Sequence, residues 1–92
     1  MIFWEERSLD DRETLFEFLY AVNPDAAEKV DERIVMAVEA LQENPLIGVQ
    51  RADLPGRLLI IPEISMLVSY CSEGGDIRVM RVLHQKQMFP EA

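Results

Sequence analysis

The sequence has little of several things that particular classes of protein need. It has one cysteine among 92 residues, which excludes an internal disulfide and a multi-cysteine metal site and is typical of a reducing cytoplasm. Its apolar runs, such as 58–61 and 66–68, are only a few residues long, whereas a bilayer-spanning helix needs about twenty. Glu5 and Glu6 follow directly on three apolar residues, and a secretory signal needs a basic start. We therefore expect a cytoplasmic protein with no membrane contact.

Basic charge is also scarce. The net charge at pH 7 is −8, and the whole excess lies in residues 1–43, which hold twelve acidic against four basic residues. Residues 44–92 hold five of each sign. Because attraction to a phosphate backbone needs a basic patch, we predict no direct DNA binding by this chain alone. The acidic surface is interpreted as a solvated face, and nothing in the sequence indicates a metal or another cofactor.

The sequence does contain enough apolar material, 49% of its residues, for the core of a single domain over 1–92. In the first half, apolar residues recur at spacings of three and four, which predicts a helix over 10–22 and a second helix that begins at Asn23-Pro24 and ends at Asn44-Pro45. Asparagine is a good N-cap and proline suits the first helical position. Helices joined by one or two residues must pack as an antiparallel hairpin.

The second half has the composition of strands. Residues 57–61, 64–71 and 77–83 are strand-length aliphatic runs, and the glycines between the last two predict a hairpin turn. Residues 2–4 are too short to stand alone and should join the sheet as an added strand. The predicted fold is therefore α+β, in the order β-α-α-β-β-β, with the helical hairpin packed on one face of a small antiparallel sheet.

The last predicted strand does not alternate cleanly. Period two places Ile77, Val79 and Arg81 on one side and Arg78, Met80, Val82 and His84 on the other, so neither side is purely apolar. If Met80 and Val82 face the helices, His84 ends that side. If they do not, Arg81 points inward and needs an acidic partner.

Several short motifs, in this order and at these spacings, resemble the ParE/RelE toxin superfamily, and its ParE-like branch most closely. The matching pieces cover nearly the whole chain: Phe3; Asp11 with Leu15, Phe18 and Leu19; Asn23-Pro24-Asp25-Ala26-Ala27; Leu41; Asn44-Pro45; Gly48; Gly56-Arg57; Val68-Ser69-Tyr70; Val82-Leu83-His84; Gln87; and Pro90. The resemblance implies the toxin of a type II toxin–antitoxin system, with an antitoxin whose C-terminal segment wraps it. ParE-like members inhibit DNA gyrase, whereas RelE-like members are ribosome-dependent endoribonucleases.

Metal-free RNA cleavage needs several convergent basic or phenolic groups, and the sequence offers few. By resemblance, Arg57 matches a phosphate-binding arginine and His84 an acid or base, and these two would be the catalytic residues of a nuclease. No tyrosine follows Tyr70. The candidate contacts to a target or to the antitoxin are Arg51, Arg57, Arg81, His84 and Lys86. The plain alternatives are that Arg57 pins a loop through a salt bridge and that Tyr70 fills the core with its hydroxyl at the sheet edge.

Three functional hypotheses remain open from the sequence. The first is a non-enzymatic toxin that binds gyrase and is neutralised by its antitoxin. The second is a ribosome-dependent mRNA endoribonuclease, which the acidic hairpin disfavours because the ribosome is strongly anionic. The third is a non-toxic remnant that only binds antitoxin. The sequence leaves the oligomeric state open between a monomer, a dimer and a toxin–antitoxin hetero-oligomer. Two polar residues, Ser8 and Arg12, stand where the family usually has alanine and leucine, so the packing of the first helix is expected to differ.

Overall fold

The computed structural model describes residues 1–50 and 55–85. The elements follow one another as β1 (Ile2–Trp4), α1 (Glu6–Val22), α2 (Pro24–Ala40), β2 (Val49–Gln50), β3 (Arg57–Ile61), β4 (Met66–Glu73) and β5 (Asp76–His84). The predicted α+β fold with its helical hairpin is confirmed. No helix within the described ranges is long and apolar enough to cross a membrane.

The helical hairpin turns on a single residue. Asn23 separates α1 from α2, and its side-chain oxygen accepts hydrogen bonds from the backbone N–H groups of Asp25 and Ala26, at 3.1 and 3.3 Å. Pro24 stands at the first helical position, as predicted. Helix α1 begins four residues earlier than the predicted start at residue 10, and α2 ends at Ala40 before a turn rather than at Asn44.

The sheet is mixed, which corrects the prediction of a purely antiparallel one. Its strand order is β1-β5-β4-β3-β2, and β1 pairs parallel with β5 while the other pairs are antiparallel. Because the long helical hairpin follows β1, the chain is free to place β1 alongside β5 in the same direction. The two-residue strand β2 was not predicted, and Ile64 lies in a short 3-10 turn before β4 rather than in the strand.

The core lies between α2 and the sheet. Its buried members come from α2, its following turn and the inner sheet face: Ile34, Val38, Leu41, Ile61, Met66, Val68, Tyr70, Ile77, Val79 and Val82. The apolar stripe predicted on α2 is confirmed. The stripe predicted on α1 is only partly buried, because Leu15 packs against the core whereas Phe18 and Val22 remain 69% and 78% exposed. Ser8 is the buried residue of α1, and its hydroxyl donates to the Glu5 carbonyl at 2.7 Å.

A β-bulge in β5 explains the broken alternation of that strand. Tyr70 pairs with Val79, but its predecessor Ser69 pairs with Arg81, so Met80 is an extra residue. The extra residue shifts the alternation by one position, which lets Ile77, Val79 and Val82 all be buried. Neither of the two predicted strand orientations holds for the whole strand. Ile77 and Val79 are buried before the bulge at Met80, and Val82 is buried after it.

Candidate functional site

Helix α1 meets the edge of β5 through one carboxylate. Strand β1 covers β5 only from Ile77 to Val79, so among residues 1–50 and 55–85 no strand lies beside the rest of β5 on that side. Asp11 fills the gap: its two oxygens accept from Nε and Nη2 of Arg81 at 2.9 and 3.1 Å, and Oδ2 also accepts from the backbone N–H of Val82 at 2.9 Å. The hydrogen bond to Asp11 raises the pKa of Arg81 above its usual value, so the guanidinium stays charged. Beyond the bulge Val82 is the buried residue, so Arg81 is not inward as the second predicted orientation supposed, although it does have an acidic partner in Asp11.

A groove of about 270 Å³ runs beside this contact. Its walls are α1 on one side and β5 on the other, and it is lined by Asp11, Thr14, Leu15, Phe18, Met66, Val82 and His84. The ring of Phe18 is largely exposed there. This α1/β5 groove therefore gathers one predicted contact residue, His84, next to a second, Arg81.

A larger cleft, of about 460 Å³, lies at the opposite sheet edge between α2 and β3. Strand β2 pairs only with Arg57 and Leu58, so within the described residues Leu59–Ile61 have no strand beside them on that edge. The cleft is lined by Arg33, Met36, Ala37, Ala40, Leu41, Asn44, Ile47, Leu59, Ile60 and Ile61. Met36, Ile47 and Ile60 are all exposed, Ile60 the least at 45%, which makes this α2/β3 cleft the larger exposed apolar surface of the two.

Two side chains fasten the loop that follows α2. The hydroxyl of Tyr70, whose side chain is fully buried, donates to the Pro45 carbonyl at 2.8 Å and accepts from the Gly48 N–H at 2.9 Å. Nη1 of Arg57 donates to the carbonyl oxygens of Gly48 and Leu46, at 2.9 and 3.3 Å. Arg57 thus holds a loop through backbone carbonyl oxygens, whereas the salt bridge of the plain alternative stays a prediction. Tyr70 both fills the core and secures the loop.

Arg57 and His84 lie at opposite ends of the sheet. His84 is paired with Met66, which is paired with Ile61, whereas Arg57 is paired with Tyr70. The two residues are four positions apart along the strands, which corresponds to about 13 Å, and two strands apart across the sheet, which corresponds to about 10 Å. Arg51 and Lys86, the other predicted contact residues, lie outside the described residues.

The polar departure at Arg12 proves to be structural. Its guanidinium carbon lies 4.5 Å from the centre of the Trp4 ring, and Nε and Nη2 donate to the two oxygens of Asp31 at 2.9 Å each. One side chain therefore joins β1, α1 and α2 through a cation–π contact and a bidentate ion pair. No local pattern signals this contact, because Trp4, Arg12 and Asp31 belong to three different elements.

The described residues contain no cluster of three or more histidine, cysteine, aspartate or glutamate side chains placed to hold a metal ion. The geometry thus defines a small α+β domain that offers an apolar groove at each edge of its sheet.

Comparisons with known proteins assign the family. Residues 2–89 match the model of the ParE toxin of type II toxin–antitoxin systems, parDE. A curated protein of Sinorhizobium fredii named "Putative toxin Y4kP" is 30% identical over 93 aligned positions, covering 96% of this chain and 91% of that protein. A solved chromosomal ParDE toxin–antitoxin system from P. aeruginosa has the same fold, with a TM-score of 0.77, 22% identity, and coverage of 90% of this chain and 92% of that one. The chain belongs to the ParE toxin family of type II toxin–antitoxin systems. Membership of this family implies an antitoxin partner.

Proposed function

We propose that this ParE-type toxin acts in the cytoplasm by binding DNA gyrase, without cutting RNA, and that a cognate antitoxin silences it. The observation that supports a toxin that does not cut RNA is the separation of Arg57 from His84. A metal-free ribonuclease must bring a base, an acid and a phosphate-binding cation to one phosphate. In the described residues, the strand register holds the two candidate catalytic groups at opposite ends of the sheet.

The two described cationic candidates also already have structural partners. Arg57 is bound to loop carbonyls and Arg81 to Asp11. A loss of toxicity in Arg57→Ala would therefore not by itself indicate catalysis, because the loop would loosen as well. The exposed apolar grooves, in contrast, are the kind of surface that protein partners bury.

Purified toxin is expected to inhibit supercoiling by DNA gyrase at micromolar concentration. We assign the contact to the α1/β5 groove, where Phe18 is exposed. Phe18→Ala is expected to weaken inhibition about tenfold, since exposed aromatic anchors commonly contribute more than about 1 kcal/mol at interfaces. Supercoiling and trapped cleavage complexes are measured by gel. The matched control is Tyr20→Ala, an exposed aromatic on the same helix outside this groove.

Unaffected supercoiling at micromolar toxin would reject gyrase as the target. Cell-free translation followed by mapping of mRNA 5′ ends then tests the ribonuclease alternative. Growth of cells that express the toxin without its antitoxin tests the remnant alternative, since a remnant leaves growth unchanged.

For the antitoxin, we propose the α2/β3 cleft as the docking site. An extended antitoxin segment can add beside Leu59–Ile61, using the backbone groups of that edge, while apolar side chains enter the cleft. The residues that line the cleft carry a single charged side chain, Arg33, which is paired with Glu63 at 2.9 Å. The segment that fits is therefore largely hydrophobic rather than strongly acidic.

Met36→Glu is expected to weaken antitoxin binding at least tenfold. Met36 is 58% exposed in the cleft, and a carboxylate there would have to give up its water against the apolar side chains of the docked segment. Isothermal titration of the toxin with its antitoxin measures the change. Val22→Glu, which adds the same charge at an exposed apolar site outside the cleft, is expected to bind normally. Equal affinities of the two variants would show that the antitoxin does not bind in the α2/β3 cleft.

A further inference from the structure

A third surface lies on the helical hairpin, away from both sheet-edge grooves. Two shallow cavities of about 310 and 290 Å³ adjoin there and share Phe16. The first is lined by Leu9, Arg12, Glu13, Phe16 and Asp31, and the second by Phe16, Glu17, Tyr20 and Ala21. We call this surface the acidic seam. From Leu9 to Tyr20 it follows α1 for about 17 Å, which is the length of three helical turns.

The seam has an apolar floor. The rings of Phe16 and Tyr20 stack with their centres 5.8 Å apart, and Tyr20 and Leu9 are 51% and 46% exposed. A face that serves only to keep the protein soluble does not need an exposed tyrosine, stacked on a half-buried phenylalanine, in line with an exposed leucine. Contiguous apolar groups rimmed by charge are typical of an interaction surface.

The rim of the seam is negative and is not neutralised within the described part of the chain. Arg12 is already paired with Asp31 in both of its hydrogen bonds, whereas Glu13 and Glu17 are exposed and form no ion pair there. The hairpin's remaining exposed cations point elsewhere: Arg7 is nine residues from Phe16 and Lys29 two residues from Asp31, spacings that place each about half a turn away on its helix.

We propose that the acidic seam binds a cationic, amphipathic helical segment of a partner protein. Leucine-like side chains of that segment would contact Leu9, Phe16 and Tyr20, and its lysines or arginines would face Glu13 and Glu17. Charge complementarity selects this partner over an acidic one, because all of the protein's net charge of −8 lies in the half that forms the hairpin. The seam is a different surface from the α1/β5 groove and the α2/β3 cleft, so the inference goes beyond the proposed function and does not rest on it.

The test uses the full chain and two synthetic probes. One is a capped peptide of about twelve residues with leucine and lysine at helical spacing, and the other replaces every lysine with glutamate. Fluorescence anisotropy at physiological ionic strength is expected to show binding of the lysine peptide only. Binding should weaken in high salt, which screens the rim charges.

Variants then locate the binding. Glu13→Gln/Glu17→Gln is expected to weaken binding of the lysine peptide about two- to tenfold, and Tyr20→Ala roughly fivefold or more. The matched controls are Glu43→Gln/Glu73→Gln, which remove the same charge elsewhere, and Phe18→Ala, an exposed aromatic on the other flank of α1. Circular dichroism checks that each variant is folded.

Tight binding of the glutamate peptide would overturn the proposal, as would control variants that weaken binding as much as the seam variants do. Absence of binding by either peptide to the folded chain would overturn it too. Since neither gyrase nor antitoxin is present, a negative result here leaves the proposed function intact, and failure of the gyrase assay leaves this inference intact.

Discussion

Gly56→Ala is expected to lower the free energy of unfolding by roughly 2–5 kcal/mol, because two costs add at this position. The backbone of Gly56 has a φ of +75°, a left-handed conformation that alanine adopts only with strain. A Cβ at this position would also lie 2.3 Å from the carbonyl oxygen of Tyr70 and 2.9 Å from Sγ of Cys71. Backbone oxygen cannot move aside as a flexible side chain can, so either β4 or the backbone around Gly56 would have to shift.

Gly74→Ala is the matched control for the second cost. Gly74 lies in the β4–β5 turn with a φ of +56°, and a Cβ there meets nothing within 4 Å. Its expected loss is about 1–2 kcal/mol, from backbone strain alone. Urea denaturation measures both variants. Equal losses would mean that the close approach of Gly56 to β4 has no energetic consequence.

The contrast between these glycines illustrates what the sequence could and could not predict. The turn glycines stand between two strand-like runs, so the hairpin could be predicted from local pattern alone. Asn23-Pro24 likewise predicted the junction of the two helices, because the capping hydrogen bonds of Asn23 involve only residues two and three positions away. The crowding at Gly56 depends on β4, which lies more than ten residues further along the chain, and no local pattern reports it.

The residues that form the α1/β5 groove could not be predicted, for a related reason. Its central ion pair joins Asp11 to Arg81 across 70 positions of sequence, at a part of β5 with which β1 does not pair. The bulge at Met80 was not predicted either, although the broken alternation of apolar residues in β5 is the pattern that such a bulge produces. A strand whose two faces are equally mixed is a signal to look for an extra residue.

The loop motifs were recognised from the sequence without their physical reason. Asn44-Pro45, Gly48, Arg57 and Tyr70 are parts of the family resemblance, and the structure brings the last four into one hydrogen-bonded cluster at the end of the core. A side chain at Gly48 would place its Cβ 2.6 Å from the Tyr70 hydroxyl oxygen. Each of these residues is hydrogen-bonded to another of the cluster, so a change at one leaves a partner unsatisfied.

Tyr70→Phe is expected to lower the free energy of unfolding by about 2 kcal/mol, since it leaves buried polar groups without a partner. The Pro45 carbonyl loses its donor and the Gly48 N–H its acceptor, while the ring and its packing remain. Urea denaturation gives the global loss, and hydrogen exchange of the Gly48 amide should speed up beyond it, because the loop opens locally. Tyr20→Phe removes an exposed hydroxyl and is expected to change stability by less than about 0.5 kcal/mol.

A double-mutant cycle with Arg57→Ala tests whether the two side chains secure the loop together. Both bind Gly48, one at its N–H and the other at its carbonyl oxygen, so we expect a coupling free energy of about 0.5–3 kcal/mol. Strict additivity, or a Tyr70→Phe variant as stable as Tyr20→Phe, would show that the hydroxyl does not hold the loop. In that case the close contact between Gly48 and Tyr70 would be packing alone.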